Sequence, residues 1–191
     1  MEDGGDRGTV MRYVIADLEA TCWEKGTTPA RMEIIEIGAV TLSSAAGDVT
    51  SEFGEFVRPV REPILSEFCI RLTGIRQSDV DGAGTFAEVF PRFLEWIGPD
   101  PYTLCSWGAY DLGQFRVDCK RQGLSVPAPF ERHLNLKQAF AHLEGIKPCG
   151  MKGALGRLNI PLEGQHHRAI DDARSIAKIA RVVLPRVEAG G

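Results

Sequence analysis

The residues of this chain whose types and spacing could do chemistry are a close pair of acids, one isolated acid and a doubled His–Asp segment. In "VIADLEAT", Asp17 and Glu19 follow directly on the apolar run Val14-Ile15-Ala16. Side chains alternate across a strand, so the two carboxylates share a face and Leu18 takes the other. Like charges side by side repel unless a cation neutralises them. The pair therefore reads either as two solvated acids at a strand end or as part of a site for a hard cation, which prefers carboxylate oxygen. In "SWGAYDLGQF", Asp111 lies just after a short strand near a helix start, where the helix dipole favours an acid whether or not it does chemistry. In "GQHHRAIDDARSIAKIA", two histidines precede two aspartates. At about 100° per residue, Ala173, Ile176, Ala177, Ala180, Val183 and Leu184 form one apolar stripe, with Asp172 about 75° from its centre and Asp171 about 175° away. Asp172 is expected against the core. Asp171 is expected on the solvent side with Arg174, Ser175 and Lys178, the last as its i,i+7 partner. His167 lies five residues before Asp172 and can fold back over it; His166 is expected to point elsewhere. Taken alone, either histidine also reads as a solvated loop residue.

The elements that must position these groups follow from periodicity. "MRYVIADLEATCW", "MEIIEIGAVTLSS" and "GDVTSEFGEFVRPV" read as three strands of an antiparallel meander, and "YTLCSW" as a fourth. "PILSEFCIRLTGIRQSDVDGAG" reads as a short helix and loop. "TFAEVFPRFLEWIGPD" has apolar residues at helical spacing, with Thr85 and Glu88 placed for a capping box, and Pro91 inside it predicts a kink or a lost hydrogen bond. "AYDLGQFRVDCKRQG", "LNLKQAFAHLEG" and "GMKGALGRLNI" read as helices, and the last helix is expected from about Ile170 to Val187. Strands first and helices after imply a mixed α/β sheet covered by helices. Residues 1–10 read as a flexible polar tail and 11–187 as a single domain.

Composition narrows the classes. The 191 residues are 43% hydrophobic and 25% charged, with a net charge of −4, as in an ordinary globular chain. An acidic balance argues against a basic clamp on long duplex and leaves open an acidic site that reaches phosphate through metal ions. Five scattered cysteines without a CxxC pair read as reduced thiols in a cytoplasmic protein. No apolar run approaches the roughly 20 residues of a membrane helix, and the N-terminus carries no apolar signal segment.

Taken together, "DLEAT" (17–21), Asp111 in "SWGAYDLGQF" and the H-x4-D spacing of His167 and Asp172 resemble the motifs of the DEDDh, or DnaQ-like, 3′→5′ exonuclease superfamily. His166 and Asp171 have the same spacing, but the small residue that usually follows the family aspartate matches Ala173 after Asp172. "DLEATCW", "EFCIRLTGIRQSDVDGAGTF" and "NIPLEGQHHRAIDDARSIAKIA" are similar to the subgroup of the histone-mRNA 3′ exonuclease and the Eri nucleases. The resemblance covers about residues 11–185.

The resemblance implies a ribonuclease H-like fold, an α/β architecture with a mixed five-stranded sheet flanked by helices. It implies two Mg²⁺ or Mn²⁺ ions held by Asp17, Glu19, Asp111 and Asp172, with His167 as the general base. It implies 3′→5′ removal of 5′-mononucleotides from nucleic acid with a free 3′ end, RNA favoured over DNA. The terminal sugar would meet the backbone of Ala20 and Thr21, Leu72 and Ile75 would wall the base, and Tyr110 is a stacking candidate. Ordinary core is the alternative for Leu72 and Ile75, and the favoured reading for Trp23 and Trp107. Lys152 and Arg168 are candidate phosphate contacts. A DNA-directed exonuclease of the same fold is the alternative function. A silent nucleic-acid-binding module comes next, and would be expected to lack one of the acids.

Overall fold

A computed structural model describes residues 11–190, so the tail expected over residues 1–10 lies outside the described residues. The chain opens with β1 (Arg12–Ala20), β2 (Ile34–Leu42) and β3 (Val49–Phe56). Both pairings among them are antiparallel, as the meander reading requires. Their Val-, Ile- and Phe-rich runs suit a pleated, half-buried surface. α1 (Glu67–Thr73), α2 (Gln77–Asp81) and α3 (Phe86–Ile97) follow. α3 begins in the expected capping box, Thr85 N donating to Glu88 Oε2 at 2.7 Å, and continues through Pro91. β4 (Tyr102–Ser106) and α4 (Tyr110–Gln122) come next, then a 3-10 turn over Ala128–Arg132. The chain ends in β5 (Leu134–Asn135), α5 (Leu136–Glu144), α6 (Met151–Leu158) and α7 (Ala169–Gly190), which runs three residues past the expected end at Val187.

The sheet order is β3-β2-β1-β4-β5, with β4 parallel to β1 and β5 parallel to β4. β5 is only two residues long and opens a segment that reads as helix, so no periodicity announces it. On one face of the sheet Tyr13, Ile15, Val40 and Leu42 pack against α5, α6 and α7. On the other, Val14, Ala16, Leu18, Ile37 and Ala39 pack against α3 and α4. Each large apolar side chain buried in these layers contributes roughly 1.5–3 kcal/mol. Every residue of the stripe expected on α7 is no more than 1% exposed.

This layering fixes the acids. Asp17 and Glu19 continue the Tyr13–Ile15 series, so they face α7, while Leu18 faces α3 and α4. Across the sheet, Asp17 lies opposite Gly38 and Glu19 opposite Glu36. No helix among the described residues is long and apolar enough to cross a membrane.

Candidate active site

β1, α4 and α7 converge on a cleft of about 360 Å³ lined by Asp17, Glu19, Asp111, Asp172, His166 and His167. β1 delivers Asp17 and Glu19 at its C-terminal end. Asp111 stands in the first turn of α4, and its Oδ1 accepts a hydrogen bond from Leu18 N at 3.2 Å, which ties α4 to β1. Asp172 stands in the first turn of α7, 4% exposed. Asp17, Glu19 and Asp172 each present an oxygen within 4.8 Å of the others'.

Burial alone does not single these acids out, because other acids are buried too. Those others are supplied with donors. Glu33 accepts from the backbone N–H of Val60, Arg61 and Glu62. Asp118 pairs with Arg121 and accepts from Gln114. Glu36 accepts from Arg168 and from the amide of Ala169. Among the described residues no protein group donates a hydrogen bond to Asp17 or Glu19; His167 Nδ1 stands 3.9 Å from Glu19 Oε1. Clustered carboxylates without donors are the ligand set a hard divalent cation takes, so these residues fit such an ion. His166, His167 and Asp172 form a second possible donor group that shares Asp172.

The cost of this arrangement appears in the proton affinities. Burial, then Asp111, Glu19 and Asp172, hold the Asp17 carboxyl well above the usual carboxylate range. Burial, then Asp172 and Glu36, push Glu19 up from 4.5 to about 8. Burial pushes Asp111 up to about 6, opposed by hydrogen bonds from Ser106 and from backbone amides. Because these values lie above those of the unfolded chain, the metal-free fold binds more protons than the unfolded chain does. The resulting stability is fully present below the ordinary values near 4 and is lost as pH rises through 6 and 8. In EDTA the Tm is expected to fall by about 8–16 °C between pH 5.5 and 8.5, taking the Glu19 and Asp111 values alone, about 1.4 kcal/mol per pKa unit and about 2–4 °C per kcal/mol for a chain this size. Calorimetry checks it: a divalent cation should recover the loss at pH 8.5 and do little at pH 5.5. A Tm that is flat or rising over that range in EDTA would contradict this electrostatic account.

Both histidines reach the site, which corrects the expectation that His166 points elsewhere. His166 Nδ1 lies 2.9 Å from Asp172 Oδ2, and the two imidazoles stack with centroids 4.0 Å apart. His167 donates its backbone N–H to Asp172 Oδ2 at 3.0 Å, and its φ of +66° is in the left-handed region, which a β-carbon disfavours. Asp171 is not the solvent acid paired with Lys178. It accepts from Gln165 N at 2.9 Å and from Arg174 at 3.0 Å, while Lys178 pairs with Glu163. Ser175, expected beside it in solvent, is fully buried.

The expected nucleotide contacts divide. Leu72, Ala20 and Tyr110 line the cleft. Ile75 does not: it is buried among Cys22, Ile35, Leu65, Cys69 and Val80, because the left-handed Gly74 ends α1 and turns the chain inward. Thr21 is also withdrawn, its N–H donated to Glu33 O at 2.8 Å and its Oγ1 accepting from Glu33 N at 2.9 Å. Trp107 lines the cleft while packing on Phe140. Trp23 is half-buried under the Arg31 guanidinium, 3.6 Å from its ring centroid, and belongs to no core cluster among the described residues. Arg168 is bound to Glu36 rather than free for phosphate. Met32, Cys22 and Met151, which no periodicity singled out, complete the wall.

The exonuclease family model matches residues 14–180. The chain belongs to the exonuclease family. It is 36% identical to ERI1 exoribonuclease 2 of Danio rerio, over 90% of this chain and 34% of that protein. It is 30% identical to the 3′-5′ exonuclease Snipper of Drosophila melanogaster, over 87% of this chain and 67% of Snipper. Its structure matches that of the nuclease domain of 3′hExo, a DEDDh family member, bound to rAMP, with a TM-score of 0.86 and 29% identity over 94% of both chains. These similarities place it in the Eri and 3′hExo subgroup, and its mixed sheet is the ribonuclease H-like sheet of DEDDh nuclease domains. The chain spans about a third of the length of the ERI1 exoribonuclease 2 proteins it matches.

Proposed function

We propose that this chain is a metal-dependent 3′→5′ exonuclease that releases 5′-mononucleotides from single-stranded or 3′-overhanging nucleic acid, RNA in preference to DNA. The observation that carries this reading is the set of donor-free carboxylates, Asp17 and Glu19, meeting Asp111, Asp172 and a histidine pair in one open cleft. The names of its relatives support the choice of RNA, since several are exoribonucleases and the matching 3′hExo domain holds rAMP.

In this reading Asp17, Glu19, Asp111 and Asp172 hold two divalent ions, Mg²⁺ or Mn²⁺. When bound, such ions lower the pKa of water and stabilise the charge on the attacking and leaving oxygens. His167 accepts the proton of the attacking water. Burial first, then His166 and Lys152, keep its pKa below the usual histidine value against the pull of Asp172, so the ring is neutral and ready as a base near pH 7. Leu72 and Tyr110 present apolar surface to the terminal base, and Ala20 closes the cleft floor beside Glu19. Free thiols at all five cysteines support the cytoplasmic location we assign to it.

A 5′-labelled RNA oligonucleotide should give a ladder that shortens from the 3′ end, faster than its DNA counterpart. A 3′-phosphate should slow it at least about tenfold, the cost of losing one hydrogen bond to a charged group. EDTA should abolish the activity. Cutting of circular single strands at the same rate would mean an endonuclease and defeat the reading, and faster loss of DNA would reassign the substrate.

A further inference from the structure

On the α7 side of β2, Glu36 and Gly38 lie nearest the first turn of α7. A β-carbon at Gly38 would lie 2.1 Å from the backbone of Ala169 and Ile170, so the first turn of α7 rests directly on the strand. Two residues away on the same face, Glu36 is 3% exposed. Its Oε2 accepts from Ala169 N at 3.0 Å and from Arg168 Nε at 3.2 Å, and its Oε1 accepts from an Arg168 Nη at 3.0 Å. The Arg168 guanidinium also lies 5.1 Å from the Phe56 ring centroid. Three bonds from one carboxylate thus fix residues 168 and 169, immediately after His167 and its left-handed backbone. On the other side, Asp172 holds His167 N and Asp171 holds Gln165 N.

Helix packing alone does not call for this pair. Gly38 already permits the close approach, and an apolar pair of similar size would seat the helix without the desolvation that a buried ion pair suffers. A two-pronged Arg–carboxylate contact supplies direction instead, because both groups are planar and their fork geometry admits one orientation. The direction it fixes is that of the peptide leaving His167. We propose that Glu36, acting through Arg168 and the Ala169 amide, is a positioning residue that holds His167 over the carboxylate cluster. This rests on His167 being the proton acceptor, as proposed above.

Glu36→Gln keeps the shape and an acceptor for Ala169 N but loses the charge that holds Arg168. It should lower kcat about 10–100-fold, the range typical of outer-shell partners, with KM within about twofold and Mn²⁺ affinity by calorimetry shifted by no more than a few-fold, the shift that loss of the Glu36 charge beside Glu19 brings by itself. Amide hydrogen exchange over residues 166–170 should quicken while the rest of the chain keeps its protection. Arg168→Lys, which retains one charged donor, should fall less far. The double variant Glu36→Gln/Arg168→Lys should be no slower than Glu36→Gln alone, since the two side chains act as one unit. Unchanged kcat in Glu36→Gln, additive losses in the double variant, or exchange that rises throughout the chain would each overturn the proposal. A parent chain that shortens no oligonucleotide would instead sink the proposed function, while the exchange comparison would still decide whether Glu36 holds the segment.

Discussion

Asp17→Asn is expected to give a folded protein with no measurable shortening of 5′-labelled RNA, a loss at least as large as removal of a general base, about 10²–10⁴-fold. The reason is its place. Asp17 sits at the end of β1 on the face toward α7, and its carboxyl feels Asp111, Glu19 and Asp172 together, after burial itself. Among the described residues nothing donates a hydrogen bond to it. Asparagine keeps the shape and removes the charge, so the cluster loses one of its two donor-free carboxylate ligands. The same change should not harm the metal-free fold. Removing one of several repelling charges should leave the Tm in EDTA at pH 8 equal to the parent's or a few degrees higher, while the rise on adding Mg²⁺ shrinks, because ligand that binds only the folded state stabilises it by mass action. Calorimetry with and without Mg²⁺, beside the RNA ladder, checks both halves. A folded Asp17→Asn protein with near-parent turnover would end the assignment of this cluster as the catalytic metal site.

What the sequence revealed and what it concealed follow from the kind of regularity involved. The antiparallel meander and the stripe on α7 were legible because alternation and 3.6-residue spacing directly encode burial. The shared face of Asp17 and Glu19 came from the same rule. Asp172 turned inward as the wheel requires, yet Asp171 is half-buried, paired with Arg174 and Gln165 N rather than with Lys178. A wheel gives an angle about a helix axis and is blind to the chain arriving at the helix. Here Gly164, at φ +63°, bends that chain so that Gln165 N reaches Asp171. The same bend stacks His166 on His167, a contact that no spacing of residues specifies. Leu72 and Ile75 differ by three positions, which on an unbroken helix would put them on one side. The turn at Gly74 separates them into cleft wall and core. Glu36 was visible as an acid inside the apolar run "EIIEIGAV", but its partner Arg168 lies 132 residues away, and only the fold joins them.

The doubled residues of α7's entry give the second large effect, and the four single variants should separate. His167→Asn is expected to lower kcat about 10²–10⁴-fold as a lost general base, with divalent-ion affinity nearly unchanged. Asp172→Asn should cost at least as much and shift the metal dependence to higher concentration, since Asp172 shares the cluster within 4.8 Å of Asp17 and Glu19. It also loses part of its hold on the His167 amide. His166→Asn should cost only about tenfold, at the low end for an outer-shell partner, because His166 Nδ1 orients the Asp172 carboxylate at 2.9 Å. Asp171→Asn should stay within a few-fold of the parent: asparagine still accepts from Gln165 N and loses only the charged pairing to a half-exposed Arg174. The pH–rate profile discriminates further. Burial holds the His167 pKa below the usual histidine value, so the base is unprotonated above that point and the parent's rate should fall as pH drops through it. That acid limb should flatten in His167→Asn and persist in His166→Asn. The opposite pattern, with His166 and Asp171 the dead pair, would require α7 to turn by about 100°, which would lift Asp172 out of the cluster and pull the Ala169 amide from Glu36.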